Sequence, residues 1–196
     1  MSDYNQAVET AIVWLHSDPV FLDTETTGLG DEAEICEISI IDKDGSVLMD
    51  TLIRPSKPIS EGATDVNGIT NEMVAEAPAY RDIAETLHEI LNGRMVIIYN
   101  AEFDARILSQ TAKIAGDQEP FVCKFNCAMN IYSRFYGDWS HYHLSYRWQK
   151  LSHAAKQCSL VLPPDLHRAR ADAELTRLLV QHMAQTELEE DDHELG

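Results

Sequence analysis

The amino-acid sequence predicts an α/β domain built on a mixed β-sheet, antiparallel over its first three strands and flanked by helices. Three observations point there. Three strand-like segments follow one another near the amino terminus, an unbroken apolar run stands at 95–99, and helical periodicity recurs at 80–91, 101–115 and 169–185. A chain of 196 residues suits one domain, here 1–185 with an N-terminal helix, followed by a tail at 186–196.

The elements follow in order. Residues 4–16 place Ala7, Ala11, Ile12, Trp14 and Leu15 at helical spacing, and Asp18-Pro19 stops that helix. Val20-Phe21-Leu22 opens a strand that passes through Asp23 and Glu25 to a turn at Gly28-Leu29-Gly30. A second strand fits 35–42, and Asp44-Gly45 is a hairpin turn into a third at 46–53. Pro55 and Pro58 end the meander, and 60–77 reads as short helices and loops lying over a cleft. The helix at 80–91 carries Ile83, Leu87, Ile90 and Leu91 on one face and ends at Asn92-Gly93. The run at 95–99 is the pattern of a strand buried on both faces. Helices are expected at 101–115, 150–157 and 169–185, with Pro163-Pro164 separating the last two.

Fifteen basic against 33 acidic residues give a net charge of −18, which argues against a polyanionic partner unless carboxylates hold divalent cations. Six acids lie between Glu187 and Glu194 without a basic residue, the composition of a solvated, disordered tail. Cys36, Cys123, Cys127 and Cys158 are too sparse for a disulfide framework, and no signal-like segment opens the chain, so a cytoplasmic protein is expected. No apolar stretch approaches the roughly 20 residues that span a bilayer, so no membrane partner is expected. Cys123-x3-Cys127 lacks a second ligand pair at zinc spacing, and His141-x-His143 reads as a polar loop.

Residues i and i+2 of a strand share a face, so Asp23 and Glu25 project together while Thr24 turns away. Such neighbouring carboxylates repel each other unless a cation sits between them. An Asp-x-Glu pair is also what an exposed strand end carries, but this one closes an apolar run and precedes the Gly28 turn. Asp104 falls in the first turn of a helix after a buried strand, where the helix dipole favours an acid. Alone, that is simply a good helix start, with Asn100 as cap and Phe103 packing inward. His167 and Asp172 are five residues apart, about 140° on a helical wheel, and cannot share a face of one helix. With His167 in the loop after Pro163-Pro164 and Asp172 in the first turns of the last helix, both can face one cleft.

Together these islands narrow the reading. Residues 21–29 (Phe-Leu-Asp-Thr-Glu-Thr-Thr-Gly-Leu), 99–104 (Tyr-Asn-Ala-Glu-Phe-Asp) and 167–173 (His-Arg-Ala-Arg-Ala-Asp-Ala) resemble the three motifs of the DEDDh, or DnaQ-like, 3′-5′ exonucleases, a family that includes the proofreading subunit of bacterial DNA polymerase III. Glu34 to Ile38 and the stretch from Arg54-Pro55 to Gly68-Ile69-Thr70 fit the same pattern, so the likeness runs from about Val20 to Leu179. One position departs. Where the family commonly has histidine before Gly-Ile-Thr, this chain has Asn67, in the loop resembling the family's substrate-side loop.

The resemblance implies an RNase H-like sheet and two divalent cations, Mg²⁺ or Mn²⁺, on oxygen ligands. Asp23, Glu25 and Asp172 would hold one ion, Asp23 would bridge to the second, and Asp104 would support that second ion. His167 would take a proton from the attacking water, a task imidazole suits because it titrates near neutrality. Thr26, Gly28, Asn67, Asn100 and Phe103 are the implied substrate-binding residues. The implied substrate is the 3′ end of DNA, single-stranded or mismatched, with release of nucleoside 5′-monophosphates. RNA 3′ ends are one alternative and a proofreading or binding subunit associated with a polymerase or replication partner another, with an enzyme able to act without a polymerase favoured over the latter. Outside the motifs, 132–148 holds seven aromatics with Arg134 and Arg147 among them, a composition that serves either base stacking or core packing.

Overall fold

A computed structural model describes residues 2–189. The elements are α1 (Asp3–His16), β1 (Val20–Thr26), β2 (Ile35–Asp42), β3 (Val47–Leu52), α2 (Glu61–Asn67), α3 (Asn71–Val74) and α4 (Tyr80–Leu91). There follow β4 (Met95–Ile98), α5 (Ala101–Ala115), β5 (Lys124–Cys127), α6 (Ala128–Tyr136), β6 (Trp139–Ser140), β7 (Ser145–Tyr146), α7 (Leu151–Gln157) and α8 (Ala169–Gln185). The main sheet has the order β3-β2-β1-β4-β5, and β6 pairs with β7 in a separate two-stranded hairpin. β1 is antiparallel to β2 and β2 to β3, whereas β1 and β4, then β4 and β5, run parallel.

Strand alternation sorts the core into two layers. Val20, Leu22, Val96 and Ile98 face α4 and α5, packing with Leu87, Leu91, Ile107 and Leu108. Phe21, Ile97 and Tyr99 face the other way, onto Ala11 and Trp14 of α1, Tyr132 of α6 and Leu179 and Val180 of α8. β1 is thus central in the sheet and covered on both sides. At Asp44-Gly45, Asp42 and Ser46 close the hairpin with a 2.9 Å backbone bond, and Gly45 has φ +85°, a region where a side chain is strained. Asp18, which ends α1, also has positive φ at 51°.

Three features were not legible in sequence. The fifth strand, Lys124-Phe125-Asn126-Cys127, is a four-residue edge strand with no apolar alternation. It begins just after Cys123 and ends at Cys127, whose thiol bonds the Tyr99 carbonyl at 3.3 Å, so this pair serves the sheet edge. The β6-β7 hairpin is only two residues per strand. Residues 186–189, expected to belong to a disordered tail, are instead tied to α1: the Asn5 side chain bonds the Glu189 backbone at 2.8 and 2.9 Å. The remainder of that tail, 190–196, lies outside the described residues. No described helix is long and apolar enough to cross a membrane.

Leu22 precedes Asp23 in β1, faces α4 and α5, and is 1 % exposed. Leu22→Ala is expected to destabilise the protein by about 2–5 kcal/mol through lost burial and the cavity left behind, read from the urea midpoint at constant slope.

Candidate active site

β1 ends at the carboxyl edge of the sheet, and the alternation that buries Phe21 toward α8 carries Asp23 and Glu25 to the same side. Asp172 stands in the first turn of α8 and meets them there. One carboxylate oxygen from each of Asp23, Glu25 and Asp172 lies within 4.8 Å of the others. Asp104 approaches from the opposite layer. It is buried in the first turn of α5, and its Oδ1 accepts bonds from the Thr24 hydroxyl at 2.8 Å and the Thr24 amide at 3.2 Å. The four acids therefore divide into a group of three and one neighbour held against the adjacent residue of the same strand.

His167 occupies the turn before α8 with φ +64° and is solvent-exposed. Its amide donates to Asp172 Oδ1 at 3.4 Å, and its Nδ1 lies 4.0 Å from Asp172 Oδ2. The imidazole thus stands at the rim of the acidic cluster.

Burial and mutual repulsion act on all four acids in the same direction. Asp23 is pushed well above the ordinary carboxylate range, first by burial and then by the charges of Asp104, Asp172, Glu25 and Glu37. Glu25 is raised to about 8 by burial and by Asp172 and Glu37, against the pull of a hydrogen bond from Asn67. Asp104 is raised by burial, with the Thr24 bonds opposing. Asp172 is raised by burial, with the charge and amide of His167 opposing. Among the described residues no basic side chain forms an ion pair with Asp23 or Glu25. An all-carboxylate donor set, crowded and without a cationic partner, fits a hard divalent cation.

Beside Glu25 opens a mostly apolar cavity of about 440 Å³, lined by Thr24, Thr26, Gly28, Leu29, Ser60, Ala63, Val66, Asn67 and Phe103. Four of the five residues expected to contact substrate line it. The Thr26 hydroxyl is already engaged, donating to the Gly28 carbonyl at 2.8 Å. A Cβ at Gly28 would sit 3.8 Å from Ser60 Oγ, an ordinary contact distance. Phe103 is half-buried, packs against the core and carries the Arg106 guanidinium 5.3 Å over its ring. Asn100 is the exception: it is exposed, lies outside the cavity and makes no side-chain cap bond. The expected cap is supplied by its carbonyl alone, which accepts from Phe103 and Asp104.

Asn67 reaches further than expected. Its Oδ1 accepts from the Ile69 amide at 2.9 Å and its Nδ2 donates to the Thr26 carbonyl at 3.4 Å. The one motif departure therefore braces the residue after Glu25 and lines the same cavity as that acid.

Two contributors are invisible to sequence reasoning. Strand alternation gives Thr24 only an orientation, yet it anchors Asp104. Glu37, opposite Glu25 across the β1–β2 pair, accepts the Arg168 guanidinium, with Nε at 3.1 and 3.0 Å from its two oxygens, and the Ala169 amide at 2.9 Å. That pair, a buried acid with a part-exposed arginine, fixes the start of α8, and with it Asp172 and the His167 turn. An acid inside the apolar strand 35–42 was the available signal.

Sheet order and clustered acids at the carboxyl end of the first strand define an RNase H-like nuclease site. Residues 20–179 match the family model described as exonuclease. The chain is 40 % identical over 176 residues to a protein of Escherichia phage 186 named as an uncharacterized exonuclease, covering 87 % of this chain and 90 % of that one. It is 32 % identical over 106 residues to the DNA polymerase III subunit epsilon of Buchnera aphidicola, a match covering 48 % of this chain and 44 % of the subunit. Among solved structures it resembles exonuclease X in complex with 5′ overhanging duplex DNA, with TM-score 0.63 and 27 % identity over 84 % of this chain and 90 % of that one. The chain belongs to the exonuclease family. Enzymes of this family are metal-dependent hydrolases, and the Asp23–Glu25–Asp172 cluster is the candidate metal site of this one.

The crowding of these acids has a measurable pH signature. Because the Glu25 pKa is about 8 in the fold against 4.5 ordinarily, the cation-free folded chain holds more protons than the unfolded chain between those values. Stability contributed by protonated Glu25 is therefore lost as pH rises through that window, while a divalent ion, which needs the ionised acids, stabilises more as pH rises. The melting temperature of cation-free wild type is expected to fall more steeply between about pH 5 and pH 8 than that of Glu25→Gln, and added Mn²⁺ to raise it most at the upper end; identical slopes would count against the assignment. The Glu37–Arg168 pair behind the cluster, with a buried acid and a part-exposed arginine, gives a second expectation. Arg168→Met leaves buried Glu37 without its cation, an expected loss of about 1–3 kcal/mol in denaturant unfolding, of which Arg168→Met with Glu37→Leu recovers most.

Proposed function

We propose that this enzyme removes nucleoside 5′-monophosphates from the 3′ ends of DNA, acting on single-stranded or mismatched ends. The observation that carries the reading is the convergence of Asp23, Glu25 and Asp172 within 4.8 Å, with Asp104 held against Thr24 and His167 at the rim. DNA is favoured over RNA because exonuclease X, similar over most of this chain, was solved with duplex DNA. A role beside a polymerase is a further reading, supported by the partial match to the epsilon subunit.

Asp23, Glu25 and Asp172 are positioned to hold one divalent cation, and Asp104, beside Asp23, to support a second. Bound there, Mg²⁺ or Mn²⁺ supplies activation of the attacking water and neutralisation of the charge on the leaving 3′ oxygen. His167 accepts the proton that the water loses as its oxygen attacks the terminal phosphate. The bond from phosphorus to the 3′ oxygen of the preceding nucleotide then breaks, and that oxygen takes up a proton. Asp172 orients the imidazole, since both its oxygens face the His167 backbone amide and ring. The cavity beside Glu25 receives the terminal nucleoside, with Phe103 and Leu29 as its apolar walls and Asn67 at its base.

Asp23→Ala is expected to abolish both turnover and Mn²⁺ binding, and Asp104→Ala to abolish turnover with loss of the second Mn²⁺. His167→Ala should keep Mn²⁺ binding, measured by calorimetry, while lowering kcat about 10²–10⁴-fold. The assay uses 5′-labelled DNA and RNA of one sequence with either metal. A ladder shortened from the 3′ end supports the proposal; internal cuts, or activity surviving loss of Asp23 and Asp104 together, overturn it.

A further inference from the structure

The aromatic-rich stretch 132–148 divides in two. Tyr132 is 1 % exposed and belongs to the core beneath α1 and α8, and Phe135 stacks on Tyr4. Beyond Gly137 the pattern reverses. Trp139, Tyr142 and Trp148 are 41, 89 and 63 % exposed, and Leu144 at the tip has φ +52°. Two large rings on so short a hairpin and a third just after it, each at least 41 % exposed, are not explained by core packing.

Its position is fixed from two sides. Tyr99, the residue directly after β4 and one before the Asn100 start of α5, donates its hydroxyl to the Gln149 carbonyl at 2.6 Å. Tyr146 donates to Asp3 Oδ2 at 2.8 Å, and Trp139 packs edge-on against Tyr146 with ring centroids 5.0 Å apart. Since β1 and β4 are parallel neighbours, the end of β4 lies at the same sheet edge as Asp23 and Glu25. The base of the hairpin is thus pinned to the edge that carries the acidic cluster.

Charge distinguishes the kinds of occupant. Between residues 120 and 164 stand five basic residues, Lys124, Arg134, Arg147, Lys150 and Lys156, and one acid, Asp138, in a chain whose net charge is −18. Only Arg147 among them is ion-paired within the described residues, to Asp138 at 3.1 Å. Arg134, Lys150 and Lys156 are exposed. A locally cationic, aromatic surface at the edge of a phosphodiesterase site is complementary to a flexible polyanion with stackable rings.

We propose that the β6-β7 hairpin and its flanks form a single-strand grip, binding the nucleotides that lie 5′ of the one in the active site. Bases stack on Trp139, Tyr142 and Trp148, and Arg134 and Lys150 contact phosphates. The grip rests on the nuclease reading above and deepens it by naming how the strand beyond the terminal nucleotide is held. It predicts dependence on strand length, because a dinucleotide is too short to reach the hairpin.

The test uses the full chain with fluorescein-labelled dT20 and the dinucleotide dT2 in Ca²⁺, and turnover of the p-nitrophenyl ester of thymidine 5′-monophosphate in Mn²⁺. Tyr142→Ala with Trp148→Ala is expected to weaken dT20 binding about tenfold or more, from the typical effect of losing base stacking on alanine substitution. The same variant should leave dT2 affinity and ester turnover within twofold of wild type. Arg134→Ala with Lys150→Ala should lower the slope of log affinity against log salt by roughly 1.4, about 0.7 for each single-strand phosphate that is no longer neutralised. Because Trp139 supports the hairpin through Tyr146, Trp139→Ala is compared with Trp139→Phe, which should restore dT20 binding. Unchanged dT20 affinity in the aromatic variant overturns the grip, as does a parallel loss of ester turnover, which would make the hairpin a support of the site itself. If wild type neither binds nor shortens dT20, the nuclease reading fails; if it shortens dT20 and the variants match it, only the grip fails.

Discussion

Like-charge repulsion at the carboxyl end of β1 is the constraint around which the rest of the molecule is arranged. Asp23, Glu25 and Asp172 offer oxygens within 4.8 Å of one another, and Asp104 adds a fourth charge from the far side of the sheet. Partly buried acids at that spacing drive each other toward the neutral form. The fold holds them together because each is the terminus of something apolar: Asp23 follows Phe21 and Leu22, Asp104 follows the β4 run, and Asp172 opens a helix whose later turns carry Leu175, Leu179 and Val180 into the core. Packing several residues away keeps in place charges that would separate in water.

The bracing around the cluster is selective in its chemistry. Thr24 holds Asp104 with neutral donors, which orient an acid without occupying it as a counter-ion, and Asn67 braces the Thr26 carbonyl beside Glu25. The nearest guanidinium, Arg168, is committed to Glu37 through its Nε and Nη2. An arginine bonded to Asp23 would compete with a metal for the same oxygens. Placed on Glu37 instead, it fixes the amino end of α8 from one strand away and leaves the three-acid face open. The same division explains the exposure of His167, which must reach water while its neighbour Asp172 stays packed.

How much of this was legible in the sequence depends on whether the information was local. The ends of α4, α5, α8 and β2 were readable because periodicity, helix stops and turn residues all act within a few positions of one chain segment. The acidic islands were readable because each interrupts an apolar run. What stayed hidden was pairing between segments. Thr24 bonds Asp104 across 80 residues and Glu37 meets Arg168 across 131; an acid within an apolar strand marks Glu37, but nothing in either stretch names the partner. The edge strand β5 was hidden for a related reason: four residues of mixed character become a strand only because β4 offers its free edge. The aromatic segment divides between the two roles its composition allows, core packing at Tyr132 and Phe135 and exposure at Tyr136, Trp139, Tyr142 and Trp148.

A chain this acidic can act on a polyanion because electrostatics in salt are local. At physiological ionic strength charges are screened over roughly 8 Å, so the field at a phosphate is set by the few groups nearest it and not by the sum over the molecule. Near the acidic cluster those groups accept cations, which reverse the local sign. Along 120–164 they are the basic residues, five against one acid. The acids that make up the overall excess lie elsewhere, among them Asp31, Glu32, Glu61, Asp65, Glu72 and Glu76 and the run from Glu187. Net charge then governs the slow, long-range approach of a nucleic acid, which low salt should retard, while short-range affinity follows the basic edge and the metal-binding face.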